Sequence, residues 1–341
     1  MTGFYNEGLK LAYMHREGAP ESTEDIYKSV FRRSKVEEER LQRDLKDFTR
    51  DDFRNLFHYL EPSTIPAVRT LASFISNYVE WTIENGHRTS RDNPLKPLGD
   101  SFIEAVVSGH KLYINEEELL EIEADPRISF ANKVILRLIW EGVLGKANSE
   151  LLNLHKDDID FDKRMLTLRD DDKDIGERTI QVSERCIEII KAALNEDNYT
   201  ITTPRGNRDF ELINTGYVIK KTTFGKASAD TSGKATKQVT MSRLKDVAYG
   251  LEMKFLTPTN VRRSGMINMA KNLFLRDGEL SPEQFREISK QFGIKKINRS
   301  SNPNEVNMDY NYYYTVKVFT TRDNILKLYG IDIEKEPSTQ Q

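Results

Sequence analysis

Apolar residues recur at helical spacing along most of the chain, which predicts a mainly helical protein. Phe4, Leu9, Leu11, Tyr13 and Met14 outline a first helix, followed by a polar break at 18–22. Ser22-Thr23-Glu24-Asp25 ahead of Ile26, Tyr27 and Val30 reads as a capped helix start. A charged amphipathic stretch over 35–60 keeps Leu41, Leu45, Phe48, Phe53, Leu56, Phe57 and Leu60 on its apolar side, and Thr49 with Asp52 resembles a second cap. After Pro62, Val68, Leu71, Ala72, Ile75, Tyr78, Val79 and Ile83 share one face of a helix that Gly86 stops. Asn93-Pro94 and Pro97 then mark an extended connector.

A second unit begins near residue 113. Asn115 with three glutamates opens a helix, 130–143 form an apolar one, and Leu151, Leu152 and Leu154 belong to a short one. Met165-Leu166-Thr167-Leu168 and Arg178-Thr179-Ile180-Gln181-Val182, joined by a turn over 170–176, predict a β-hairpin. Helix resumes over 184–194. The Lys-, Thr- and Gly-rich stretch 220–240 reads as a mobile loop or a further hairpin. From 241 onward the pattern is helical, ending in Val316 to Leu328. The expected fold class is therefore mainly α with a small β-hairpin or sheet (α+β). Its expected parts are an N-terminal helical extension over 1–34, a helical domain over 35–98, a linker over 99–112 and a second domain over 113–341.

Composition narrows the function classes. With 38% hydrophobic and 31% charged residues in 341, the chain suits a protein with a highly charged surface. The single cysteine excludes an internal disulfide and suggests a reducing compartment, and few Cys and His leave little for a structural metal. No leader pattern and no long apolar run appear, so secretion and a membrane partner are not expected. The net charge of −3 hides a gradient: residues 201–300 hold 19 Lys/Arg and nine Asp/Glu. A basic region on an otherwise acidic chain is the electrostatic footprint of a nucleic-acid binder or a solvated lysine-rich loop, and charge alone leaves both open.

The order of helix, Glu150-Leu151-Leu152-Asn153-Leu154, Asp158-Ile159-Asp160, charged hairpin and long helical tail resembles the catalytic domain of the tyrosine recombinases (phage integrases). The preceding helices resemble that family's core-binding domain, and the likeness covers roughly residues 35–325. It implies a two-domain clamp around duplex DNA. It also implies a tyrosine that attacks the backbone phosphate, with two arginines, a hairpin lysine and two His-like positions around the phosphorane. Guanidinium forks preorganised on the non-bridging oxygens stabilise the charge that develops there.

Position by position, that set is degenerate. Ala147 stands where the first arginine is expected, and Lys146 beside it lacks the planar fork. Lys173, in Lys173-Asp174-Ile175-Gly176-Glu177-Arg178, matches the hairpin lysine. Thr257-Pro258-Thr259-Asn260-Val261-Arg262-Arg263 keeps Arg262, but Thr259 replaces the histidine and offers no proton acceptor tuned near neutral pH. Phe292-Gly293-Ile294 puts Ile294 at the second His-like position. Tyr310, Tyr312, Tyr313 and Tyr314 all lie where the nucleophile would follow, and the sequence leaves open which, if any, is its remnant. Loss of one preorganised donor lowers a rate by about 10²–10³, and several are lost here.

The resemblance therefore implies a DNA-binding protein rather than an enzyme, similar to integrase-like lysogeny repressors of temperate phages. Such a protein would hold operator sites in double-stranded DNA inside a bacterial host, in the cytoplasm and at the nucleoid, without cofactor or metal. A phage-encoded antirepressor and self-association are further possible partners. Alternatives are an active site-specific recombinase and a recombination accessory protein. Expected phosphate contacts are Lys173, Lys220, Lys221, Lys226, Arg243, Arg262 and Arg263; Asn260, Arg69 and Asn77 are expected base readers.

Overall fold

The computed structural model describes residues 3–16, 23–60, 62, 65–99, 102–103, 106, 111–203, 206–223, 233–253, 255–300 and 305–334. The chain divides into two units, Met1–Leu112 and Tyr113–Gln341.

The first unit packs helices α1 (Glu7–Met14), α2 (Glu24–Leu41), α3 (Arg50–Leu60) and α4 (Ile65–Glu84). The cap at α3 is reciprocal: the Thr49 amide donates to Asp52 Oδ2 at 2.8 Å, and the Asp52 amide donates to Thr49 Oγ1 at 3.2 Å. Phe53, Leu56, Phe57 and Leu60 then bury one stripe of that helix, as the sequence spacing requires.

Two expected boundaries move. Helix α2 runs unbroken across residue 34, and α1 is part of the core rather than an extension, because Tyr13 and Lys10 are fully buried in it. Lys10 Nζ lies 2.5 and 2.6 Å from the Glu38 carboxylate oxygens and 2.9 Å from the Tyr5 carbonyl. A lysine is kept in such an interior only when its charge is paired. Likewise, Phe102, Ile103 and Val106 in the expected linker are buried in this same core, with Phe102 edge-on to Phe57 at 5.7 Å.

The second unit surrounds α6 (Phe130–Trp140), whose residues from Ala131 to Trp140 are all buried. It is preceded by α5 (Glu116–Ala124), opened by a complete Asn115–Glu118 capping box. The short α7 (Ser149–Asn153) leads into an antiparallel sheet of β1 (Ile159–Asp160), β2 (Met165–Arg169) and β3 (Glu177–Gln181). The predicted hairpin is present, with Leu166 opposite Ile180 and Leu168 opposite Arg178. Leu166, Leu168 and Ile180 turn inward, so the alternation fixes which sheet face meets the core.

Helix α8 (Glu184–Asn195) follows, then the hairpin β4 (Asn198–Thr203) and β5 (Gly206–Glu211), then α9 (Lys237–Gly250), α10 (Pro258–Asp277) and α11 (Pro282–Gln291). The sequence reading does not foresee the β4–β5 hairpin. A further hairpin, β6 (Lys296–Asn298) with β7 (Met308–Tyr310), interrupts the stretch expected to be helical, because three-residue strands carry no readable period. The expected helix over 316–328 is split into a π-turn at Tyr313–Lys317 and α12 (Arg322–Tyr329), where Thr321 caps the new start. Among the described residues, no helix is long and apolar enough to cross a membrane and no cluster of His, Cys, Asp and Glu could hold a metal ion.

Candidate nucleic-acid interface

Helix α10 begins with Thr257 Oγ1 accepting the Asn260 amide at 3.2 Å and Pro258 in the first turn, a start that fixes the direction of Arg262 one turn later. Arg262 is half-buried. Its Nη2 donates to the Phe292 carbonyl, while its Nε has no hydrogen-bond partner. Burial and the neighbouring Arg178 guanidinium hold its pKa down to about 10, against the opposing pull of Glu150 and Asp170.

Arg178, on β3, is a second guanidinium beside Arg262 that the sequence reading did not single out. Its five N–H donors are all engaged. Nε and Nη2 bond Glu150 bidentately at 2.5 and 2.8 Å, Nη2 also reaches the Gly142 carbonyl at 2.9 Å, and Nη1 reaches the Lys290 and Gln291 carbonyls at 3.2 and 2.7 Å. It is a strut joining the end of α6, α7, β3 and the end of α11, with no donor left for a phosphate oxygen. Gly293 permits its close approach, since a Cβ there, at φ +59°, would sit 2.9 Å from Arg178 Nε.

The positions expected to have lost their function lie as follows. Ala147 is exposed with φ 54°, Thr259 is exposed on the first turn of α10, and Ile294 is half-buried against the core formed by α10 and α11. Lys173 is exposed at the β2–β3 turn. In that turn, Asp170 accepts from the Lys146 amide and Ser149 Oγ, at 3.1 and 2.9 Å. Tyr312 is buried and stacked on Phe285 at 5.8 Å, with Arg299 above its ring at 4.5 Å. That packing makes it a core residue, while Tyr313 and Tyr314 are exposed on the π-turn.

Several expected DNA contacts point inward instead. Lys220 is buried and its Nζ donates to the Leu194 and Glu196 carbonyls at 2.6 and 2.8 Å, closing the C-terminal end of α8. Lys221 is buried as well. Arg243 is buried beneath Tyr199, with Nη2 on the Lys220 carbonyl at 2.8 Å. Asn260, an expected base reader, is buried and donates to the Phe255 carbonyl at 2.9 Å. Arg263 lies 3.8 Å over the Phe319 ring and is bonded to Tyr113. A formal charge in the sequence carries no direction, and these long side chains satisfy interior carbonyls or cover rings. Lys226 lies outside the described residues. Arg69 and Asn77 are exposed on α4.

The structure adds an exposed face that sequence reading missed. On α9, Gln238, Ser242 and Lys245 fall at i, i+4 and i+7 and face outward beside Lys237, while Arg243, Leu244 and Val247 face the core. Its signal was available in that alternation, but the apolar period of α9 is weak because Arg243 and Thr240 occupy buried positions.

Comparison with known proteins adds the relationships. The family profile "MrpR, C-terminal catalytic domain" matches residues 113–330, and "MrpR, N-terminal core-binding domain" matches residues 4–84. The chain is 26% identical over 317 residues to the SPbeta prophage-derived uncharacterized protein YopR of Bacillus subtilis (strain 168), covering 91% of this chain and 92% of that one. Solved structures with similarity include the Tn1549 transposon integrase in complex with a circular intermediate DNA, at 15% identity and a TM-score of 0.40, covering 85% of this chain and 92% of that one. XerA recombinase is similar at 14% identity and a TM-score of 0.35, covering 84% and 88%. The C-terminal profile spans well over half of the chain and the N-terminal profile falls within the first unit, so the chain belongs to the MrpR family, with its core-binding and catalytic domains in that order.

Proposed function

We propose that this protein is a sequence-specific DNA-binding repressor of a temperate phage or prophage, built on a recombinase fold without recombinase activity. The observation that carries the reading is the unequal state of two neighbouring arginines. Arg262 is a guanidinium with unengaged donors, whereas neighbouring Arg178 is fully occupied by Glu150 and three carbonyls. A phosphoryl-transfer transition state needs several donors aimed at the developing charge. One half-buried arginine binds a phosphate but does not replace that set.

Binding and reading are then divided between surfaces. Arg262 and Lys173 contact phosphate and fix position, while the outward face of α9 supplies Gln238 for adenine and Lys237 or Lys245 for guanine or phosphate. In this reading, occupation of operator sites holds lytic genes off, and release comes from an antirepressor or from altered self-association.

Two measurements on the purified full-length chain test this. Gel shift against duplex selected by the protein from a random pool should show binding that weakens steeply with salt, and Arg262→Ala should weaken it by about 1–3 kcal/mol. A nicked suicide duplex should give no covalent protein–DNA adduct. An adduct abolished by Tyr313→Phe or Tyr314→Phe would establish a recombinase instead, and salt-insensitive or absent binding would leave an accessory role.

A further inference from the structure

The turn between β2 and β3 carries Asp170, Asp171, Asp172 and Asp174 around the single cation Lys173. Such a sequence is unexpected near an arginine proposed to bind phosphate, since each carboxylate repels the backbone of an approaching duplex. The carboxylates are also organised. Lys295, the residue after Ile294, places its Nζ 2.6 Å from Asp172 Oδ2 and 3.1 Å from Asp174 Oδ2. The Asp172 side chain is only 12% exposed, and its carboxylate also accepts the Asp174 amide at 3.1 Å. Lys295 and that amide hold the Asp172 pKa below the usual carboxylate range, so its charge is permanent near neutral pH. Asp170 fastens the other side of the turn by accepting the Asp172 amide at 2.8 Å, besides its bonds to the Lys146 amide and Ser149. The turn is thus pinned at both ends, and Asp170 lies within the electrostatic field of Arg262.

We propose that Asp172 and Asp174, held by Lys295, act as a fixed counter-ion screen that discourages unselective phosphate binding at the Arg262 pocket. This rests on the DNA-binding reading above and adds the source of its selectivity. With Lys295 neutralised by its two ion pairs and a surplus of carboxylates on the turn, backbone charge alone attracts this surface weakly. Stable binding then requires base-reading contacts from another surface, which only an operator supplies. Screening acts within about 10 Å at 0.1 M salt, so the effect belongs to duplex in this pocket and fades as ionic strength rises.

The test uses the full-length chain, a random-sequence duplex and a duplex that the protein itself selects from a random pool. Asp172→Asn/Asp174→Asn should raise affinity for the random duplex roughly threefold to tenfold at low salt, and steepen the logarithmic salt dependence by about one to two. The selected duplex should gain less, so the preference between the two falls. Lys295→Met breaks the same ion pair but leaves the carboxylates, and should weaken random-duplex binding. Melting temperatures close to that of the parent chain show that each variant is folded. Equal binding by parent and double variant overturns the screen and leaves the repressor reading standing. A gain in Lys295→Met matching that of the double variant also overturns it, since a loosened turn would then be the cause. Failure of every form to bind any duplex removes both readings.

Discussion

Replacing Arg178 by Met tests whether this residue is a structural strut rather than a phosphate contact. Glu150 is 2% exposed and receives two bonds from Arg178, and it also accepts the Leu144 amide at 3.1 Å. Without the guanidinium, a buried carboxylate keeps one backbone donor, and the carbonyls of Gly142, Lys290 and Gln291 each lose a partner. Breaking a buried pair on one side destabilises by about 3–5 kcal/mol, a large part of the roughly 5–15 kcal/mol that holds a domain together. At a urea slope of about 1–3 kcal/mol per molar, the midpoint of the second unit should fall by roughly 1–5 M. The double variant Arg178→Met/Glu150→Leu removes the stranded charge and should recover part of that loss, leaving the unpaired carbonyls as the residue. A single variant that loses under about 1 kcal/mol, or a double variant whose loss equals the sum of the singles, would refute the strut. So would a parent-like melting curve combined with weakened DNA binding, because that pattern belongs to a ligand contact.

Three further outcomes follow from packing and burial. Burial pushes the Glu38 pKa up to about 7, against the opposing pull of Lys10. Since the folded state holds this proton more tightly than the unfolded chain, the contribution is complete below about pH 4.3 and is lost as pH rises through 7. Urea midpoints of the first unit should therefore fall between pH 5 and 8, and Glu38→Gln should flatten that profile; an unflattened slope would assign it to other groups. Gly265→Ala would place a Cβ 2.0 Å from the Trp140 carbonyl where α10 crosses α6, so the melting temperature should drop by the equivalent of about 1–3 kcal/mol or more. Lys220→Met keeps the aliphatic stem but leaves the Leu194 and Glu196 carbonyls without their donor, so it should destabilise by about 1–3 kcal/mol with little change in the salt dependence of DNA binding. A salt slope reduced by about one would return Lys220 to the interface.

The sequence alone determined most of the helical architecture. The stripe of Phe53, Leu56, Phe57 and Leu60, the caps at Thr49 and Asn115, and the alternation of β2 and β3 all act over a few residues, so their physics is local. Its resemblance to the recombinases also sets Ala147, Thr259 and Ile294 where an arginine and two His-like groups are expected. Direction was decided elsewhere. Lys220, Lys221, Arg243 and Asn260 looked like interface residues because composition records charge and polarity but not the side on which each lies. Only tertiary packing brought Arg178 to Glu150 and the end of α11, residues separated by 28 and more than 110 positions, and set Lys295 on the β2–β3 turn. Such meetings are fixed by the global minimum of burial and charge pairing, which no window of neighbouring residues contains. The same holds for Lys10, whose place in the first core depends on Glu38 being there to receive it.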